Sequence, residues 1–113
     1  MTASGTFGYG QEFEQLIQLK RLGAIVVKGI SLEPSKGNPP PRIVETTGGM
    51  LNAIGLQNPG VDVVINDILP QLDFSETRFL ANVCGSTIED YVEVTRRFED
   101  SPIDAIEINI SCP

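Results

Sequence analysis

A chain of 113 residues has room for one ordinary domain and not for two, and its 41% apolar and 20% charged residues are globular in composition, which argues against disorder. The net charge is −7, with acidic residues spread along the chain and no basic patch, so a nucleic-acid partner is disfavoured. The absence of histidine excludes a His-based triad or an ordinary His-containing zinc site.

No apolar run reaches signal-peptide or membrane-spanning length, so a soluble cytoplasmic protein without a membrane partner is expected. The two cysteines, Cys84 and Cys112, have neither CxxC nor metal-ligand spacing and are expected to be reduced.

Residues 1–10, MTASGTFGYG, carry glycines at 5, 8 and 10 and read as a loop, without the GxGxxG spacing of a dinucleotide site. Residues 11–22 predict a helix. Phe13, Leu16, Ile17 and Lys20 follow the i, i+3, i+4, i+7 spacing, and Gly23 is a natural stop. Ala24-Ile25-Val26-Val27 is a short β-branched run of the kind found in parallel strands buried on both faces. Lys28 ends it, either snorkelling to solvent or pointing into a site.

Residues 29–58 form a long irregular region. Pro34, Pro39, Pro40 and Pro41 exclude a continuous helix or central strand there. Its apolar islands, Ile43-Val44 and Met50-Leu51, flank the Thr46-Thr47-Gly48-Gly49 turn cluster and suggest a small hairpin. Asn58-Pro59 predicts a helix start, with Asn58 as N-cap. Val61, Val64, Ile65, Ile68 and Leu69 form the stripe of that helix, which Pro70 ends.

A strand is predicted from Arg78 to Val83. Ser86-Thr87-Ile88-Glu89 then reads as a capping box opening a helix to about residue 98, with Ile88, Tyr91, Val92 and Thr95 inward. In the last segment Ile106, Ile108 and Ile110 alternate with Glu107, Asn109 and Ser111, the period-two pattern of a strand with one polar face. Strands alternating with helices imply parallel βαβ units.

Lys28, Asn82 and Asn109 each fall near the C-terminal end of a predicted parallel strand, and such ends share one side of a sheet. With Cys112 just beyond, they assemble a cation, two amides and a thiol. Amides offer donors and acceptors to a heterocycle, lysine stabilises a developing anion, and a thiolate serves as nucleophile or base. The alternative for each is structural: a snorkelling lysine, amides satisfying backbone, an inert small thiol. Cys84 reads as structural and Glu107 as a buried network residue. Residues 52–58 offer further amides and a glycine permitting close backbone approach, or are simply a turn leading into a helix.

Several blocks resemble class I dihydroorotate dehydrogenases. They are Ala3-Ser4-Gly5 with Phe7-Gly8-Tyr9-Gly10, Val27-Lys28-Gly29, Gly37-Asn38-Pro39-Pro40-Pro41-Arg42, Met50 through Asn58, and Glu107 through Pro113. The Asn52-Ala53-Ile54-Gly55-Leu56-Gln57-Asn58 form is similar to the NAD-linked type. The resemblance implies an FMN-containing TIM barrel that oxidises dihydroorotate to orotate in pyrimidine synthesis. By motif position, Ser4, Lys28, Gly29, Asn82 and Asn109 would contact FMN. Lys28, Asn52, Ala53, Ile54, Gly55, Leu56 and Asn109 would contact the substrate. Cys112 would be the base that removes a ring proton while hydride passes to the flavin. The NAD-linked type also implies a partner subunit carrying FAD and an iron–sulfur cluster, and a homodimer of catalytic subunits within a heterotetramer.

An eight-stranded barrel needs about 250 residues. Residues 1–113 are therefore expected to be a partial FMN-binding domain, roughly the first four β/α units, and inactive in isolation. A related pyrimidine-handling flavoenzyme such as dihydropyrimidine dehydrogenase, which shares an Asn-x-Ser-Cys-Pro end, is the alternative for the parent protein. A non-catalytic fragment is the alternative for the chain alone.

Overall fold

The computed structural model describes residues 1–111 and contains, in chain order, β1 (Ala24–Val26), β2 (Ile43–Thr46), β3 (Gly49–Asn52), α1 (Val61–Val63), β4 (Arg78–Val83), α2 (Ile88–Arg97) and β5 (Ala105–Ile108). β1, β4 and β5 form one parallel sheet in the order β1-β4-β5, and β2 and β3 form a separate antiparallel hairpin. The parallel pairing follows from the helical crossovers between strands, which return the chain to the same end of the sheet. The α/β class expected from the strand–helix alternation is therefore present. Among the described residues the parallel sheet has three strands, against the roughly four β/α units expected. Thr2 instead lies as a short extension beside β1, its N–H donating to Ala24 O at 3.1 Å and its Oγ1 accepting from Val26 N.

β1 is buried along its whole length, and in β4 Phe79, Ala81, Asn82 and Val83 are buried. Ile25, Val27, Ile30, Phe79, Ala81 and Val83 from the sheet pack with Val61, Val64 and Leu69 on one crossover and Val94 and Phe98 on the other. Among the described residues no helix is long and apolar enough to cross a membrane.

Four local expectations change. Residues 11–22 are not one helix but two single 3-10 turns, Gln11–Phe13 and Leu19–Arg21. Of the predicted stripe, Leu16 is exposed, while Phe13 leaves it to stack on Phe7 with ring centroids 4.3 Å apart. Leu19, off that stripe, is the residue that packs in the core, and a segment this short whose stripe is not packed does not hold a helix.

The next helix starts two residues later than expected. Gly60, at φ +86°, precedes Val61, and the chain continues as a π turn (Val64–Ile68) and a 3-10 turn (Leu69–Gln71) that contains Pro70. Asn58 still satisfies the entry, its Oδ1 accepting from Gly60 N at 3.0 Å.

In α2 the capping box is closed by Asp90 rather than Glu89: Thr87 Oγ1 accepts from Asp90 N, and Asp90 Oδ2 accepts from Thr87 N. Its inner face also differs. Val94 is fully buried and Tyr91 packs on the core, whereas Ile88 and Val92 are exposed. Val92 and Thr95 line an open apolar groove of about 640 Å³, shared with Ile106 and Ile108 of β5. The groove lies beside the uncovered edge of the sheet.

The long proline-rich region is ordered, as its two apolar islands suggest. Ser35 and Asn58 exchange two backbone hydrogen bonds, Asn38 N donates to Ile54 O, Ala53 N donates to Arg42 O, and the suggested hairpin follows as β2 and β3. The segment doubles back on itself from residue 35 to residue 58. Ile43, Val44, Met50 and Leu51 at its tip are all more than half exposed.

Candidate active site

The parallel register places the polar residues of β4 and β5 side by side. Asn82 is aligned with Glu107, and Asn109 lies two residues further along, so all three share a face. Asn109 N donates to Val83 O at 2.8 Å, which carries the pairing past the end of β5. Lys28 follows β1 two residues after Val26, the partner of Leu80, and thus falls on the same face beside Asn82.

Asn82 is 2% exposed, so its amide needs partners inside the protein. Its Nδ2 donates to Glu107 Oε1 at 2.5 Å, and its Oδ1 accepts from Asn109 Nδ2 at 3.2 Å. Asn109 Oδ1 in turn accepts from Ser111 N and Oγ, each at 3.2 Å, and its backbone oxygen accepts from Tyr91 Oη at 2.6 Å.

These residues face a cavity of about 740 Å³. Lys28 and Gly29 line it after β1, Asn82 and Asn109 after β4 and β5, Ser4 from the N-terminal loop, and Asn52, Ala53, Ile54, Gly55 and Leu56 from the arm that follows β3. Every site residue predicted within the described part of the chain is in that lining. Cys112 lies outside the described residues. Gly5, Thr6 and Asn38 also line the cavity and were not predicted as site residues. Each belongs to or adjoins a block carrying the family resemblance, which was the available signal.

Two glycines shape the lining. A Cβ on Gly29 would lie 3.1 Å from Asn82 Oδ1 and 3.4 Å from Leu56 Cδ2, so this position brings the backbone close to the amide. Gly55 has φ +78°, and a Cβ there would lie 2.8 Å from Asn38 N. The turn into Leu56 therefore requires a glycine.

Arg42 holds the arm from outside the lining. Its Nη1 donates to the carbonyls of Lys36 and Asn38, and its Nη2 donates to Gln57 Oε1 at 2.6 Å. Asn58 is buried at the base, donating from Nδ2 to Leu56 O at 2.8 Å and to Ser31 Oγ at 2.9 Å.

The lining is rich in donors: the Lys28 ammonium, the amide groups of Asn38, Asn52, Asn82 and Asn109, and the Ser4 hydroxyl. Such a set suits a ligand rich in carbonyl or carboxylate oxygens. Nearby, Gly8 O accepts from Lys28 N at 3.0 Å, and the adjacent Tyr9 carries a buried hydroxyl with no hydrogen-bond partner among the described residues. Burial pushes that phenol up to about 12, with smaller contributions from Glu12 and Cys84, so it is neutral at physiological pH.

Residues 1–113 match the family profile described as dihydroorotate dehydrogenase. The chain is 56% identical over its whole length to the dihydroorotate dehydrogenase B (NAD(+)) catalytic subunit of Alkaliphilus metalliredigens, covering 37% of that protein. It is 54% identical to the catalytic subunit of the same name from Alkaliphilus oremlandii and 55% identical to that from Geobacter sulfurreducens, again covering all of this chain and 37% of each relative. The chain thus spans little more than a third of the length of the curated relatives it matches. With a match running from end to end, and with the resemblance blocks lining one cavity, the chain belongs to the dihydroorotate dehydrogenase family.

Proposed function

We propose that these residues form the N-terminal part of a catalytic subunit that oxidises dihydroorotate to orotate, with FMN as its bound cofactor. The observation that supports this best is the cavity itself. Three strand ends, the N-terminal loop and the residue 52–56 arm bring a lysine, amides and hydroxyls to one wall of about 740 Å³. The wall fits the group: Gly29 brings its backbone close to the Asn82 amide with no side chain between them, and the donors match the carbonyls of an isoalloxazine and of a pyrimidine carboxylate.

Ser4, Lys28, Gly29, Asn82 and Asn109 would hold FMN. Lys28, Asn52, Ala53, Ile54, Gly55, Leu56 and Asn109 would hold the substrate. The Lys28 ammonium would offset negative charge on the substrate carboxylate or the developing product. Cys112, as thiolate, would remove the ring proton, and a low thiol pKa would suit it to that task near neutral pH. FMN, when bound, supplies a two-electron acceptor for the hydride leaving the neighbouring ring carbon.

In this reading residues 1–113 are a partial domain of an eight-stranded TIM barrel, about the first half, and the uncovered β5 edge is where the next β/α unit continues the sheet. The 113 residues alone would not turn over. The subunit would pair as a homodimer within a heterotetramer, and a second subunit with FAD and an iron–sulfur cluster would pass electrons to NAD. The relatives' name, dihydroorotate dehydrogenase B (NAD(+)), catalytic subunit, supports a second subunit and NAD as acceptor. The protein would work in the cytoplasm, in pyrimidine synthesis.

The test is turnover by the full-length protein. Orotate formed from dihydroorotate, with loss of activity in Cys112→Ser and retention of FMN, supports the reading. Turnover of uracil or dihydrouracil but not dihydroorotate would assign it to a dihydropyrimidine-type enzyme instead. Unchanged activity in Cys112→Ser would remove that residue from the mechanism.

A further inference from the structure

Glu107 does not line the cavity, yet it accepts from Asn82, which does, and Asn82 in turn accepts from Asn109. An ionised carboxylate can only accept hydrogen bonds. The Asn82 group facing it must therefore be the NH2 group, which turns Asn82 Oδ1 toward Asn109. Asn109 must then present its own NH2 group to Asn82 and its Oδ1 to Ser111, whose N–H and hydroxyl donate to it. The bonds run in one direction, Ser111 to Asn109 to Asn82 to Glu107. Each amide could rotate by half a turn on its own; the acceptor-only carboxylate at one end and the backbone N–H donor at the other remove that freedom.

We infer that Glu107 is the positioning residue that sets the amide orientation of Asn82 and Asn109 and so makes the cavity wall a donor surface. With both orientations set, the second N–H of each amide is the group left for a ligand, and the site selects ligands that offer oxygen acceptors there. A wall with flipped amides would present carbonyl oxygens and would repel the same ligand. The inference rests on the proposed dihydroorotate reading for the identity of the ligand, and on the geometry alone for the orientation.

The experiment uses the full-length FMN-loaded protein and measures orotate affinity by titration of the flavin spectrum, beside flavin content, thermal midpoint and steady-state kinetics. In Glu107→Leu the acceptor is lost while bulk is kept. Orotate affinity should fall about tenfold, as expected for the loss of a hydrogen bond to a charged group. FMN, which shares Asn82 and Asn109, should be held more weakly as well, and the thermal midpoint should drop by a few degrees because the buried Asn82 amide loses its acceptor. In Glu107→Gln an acceptor oxygen remains, and orotate affinity should stay within about threefold of wild type.

Orotate affinity unchanged in Glu107→Leu would overturn the inference. So would Glu107→Gln and Glu107→Leu weakening it equally, because charge rather than acceptor geometry would then be at work. If Glu107→Leu fails to fold, Glu107→Met takes its place: orotate affinity unchanged in the folded Met variant overturns the inference, and a loss of about tenfold there with affinity retained in Glu107→Gln supports it. A wild-type protein that binds FMN but not orotate would instead sink the substrate reading, and the ligand selection with it.

Discussion

Tyr91 Oη donates to the backbone carbonyl of Asn109 at 2.6 Å, tying the middle of α2 to the end of β5 where the candidate site lies. Tyr91 packs against the core, and its hydroxyl reaches the strand end that carries the asparagine. In Tyr91→Phe the ring keeps its packing and the carbonyl loses its donor. A loss of about 1 kcal/mol of stability is expected. Hydrogen exchange at residues 108–111 should speed up while the α2 core amides are unchanged. Equal protection in both proteins would show that the bond does not hold the strand end.

Asn58 makes the base of the residue 35–58 excursion. It is 5% exposed and its side chain bonds to Ser31, Leu56 and Gly60. Asn58→Leu would leave those buried groups unsatisfied and should cost about 2–4 kcal/mol, read from urea unfolding of the full-length protein. A change within experimental error would mean that water replaces the amide.

Arg42 ties Lys36, Asn38 and Gln57 together without lining the cavity. Arg42→Ala should weaken substrate binding through the residue 52–56 arm by about tenfold and leave FMN content unchanged. Because the guanidinium serves three acceptors at once, Arg42→Lys should recover only part of the loss. Substrate KM equal to wild type in Arg42→Ala would contradict a role in holding the arm.

Tyr9 gives the alkaline limb of stability. Its phenol is raised from 10.0 to about 12, chiefly by burial. The folded state therefore keeps a proton that the unfolded state loses first. That contribution to stability is whole below about pH 10 and is lost as pH rises toward 12. Tyr9→Phe should flatten the decline in unfolding free energy over that window relative to wild type. At neutral pH it should be neutral or slightly stabilising, because it removes a buried hydroxyl without a partner among the described residues. Identical alkaline profiles would show that the hydroxyl reaches water.

The parallel sheet was legible because its strands are β-branched and its crossovers carry clear stripes. Arg78–Val83 was placed to the residue, and α2 to within one. Two of the failures share a cause: periodicity states which residues could share a face, not which of them the neighbouring layer covers. Phe13 through Lys20 had helical spacing, but the residue that packs in the core is Leu19, off the predicted stripe, and Leu16 is exposed, so the segment became two 3-10 turns. Ile88 and Val92 were expected inward because they are apolar. Both are exposed, Val92 on the groove beside β5, and Val94 takes the core instead.

The cavity lining was legible in two ways. Lys28, Asn82 and Asn109 follow from strand-end placement alone, whereas Ser4 and the residue 52–56 arm needed the family blocks. The ladder joining Ser35 to Asn58 and Asn38 to Ile54 is backbone pairing in a proline-rich stretch, for which side-chain patterning carries no signal.

The most direct measurement is anaerobic titration of the full-length protein with dihydroorotate, following the visible flavin bands. The protein should purify yellow, and about one equivalent of dihydroorotate should bleach the flavin as orotate forms, since each flavin takes one electron pair. A colourless protein, or a bound flavin that dihydroorotate does not reduce, would contradict the assignment.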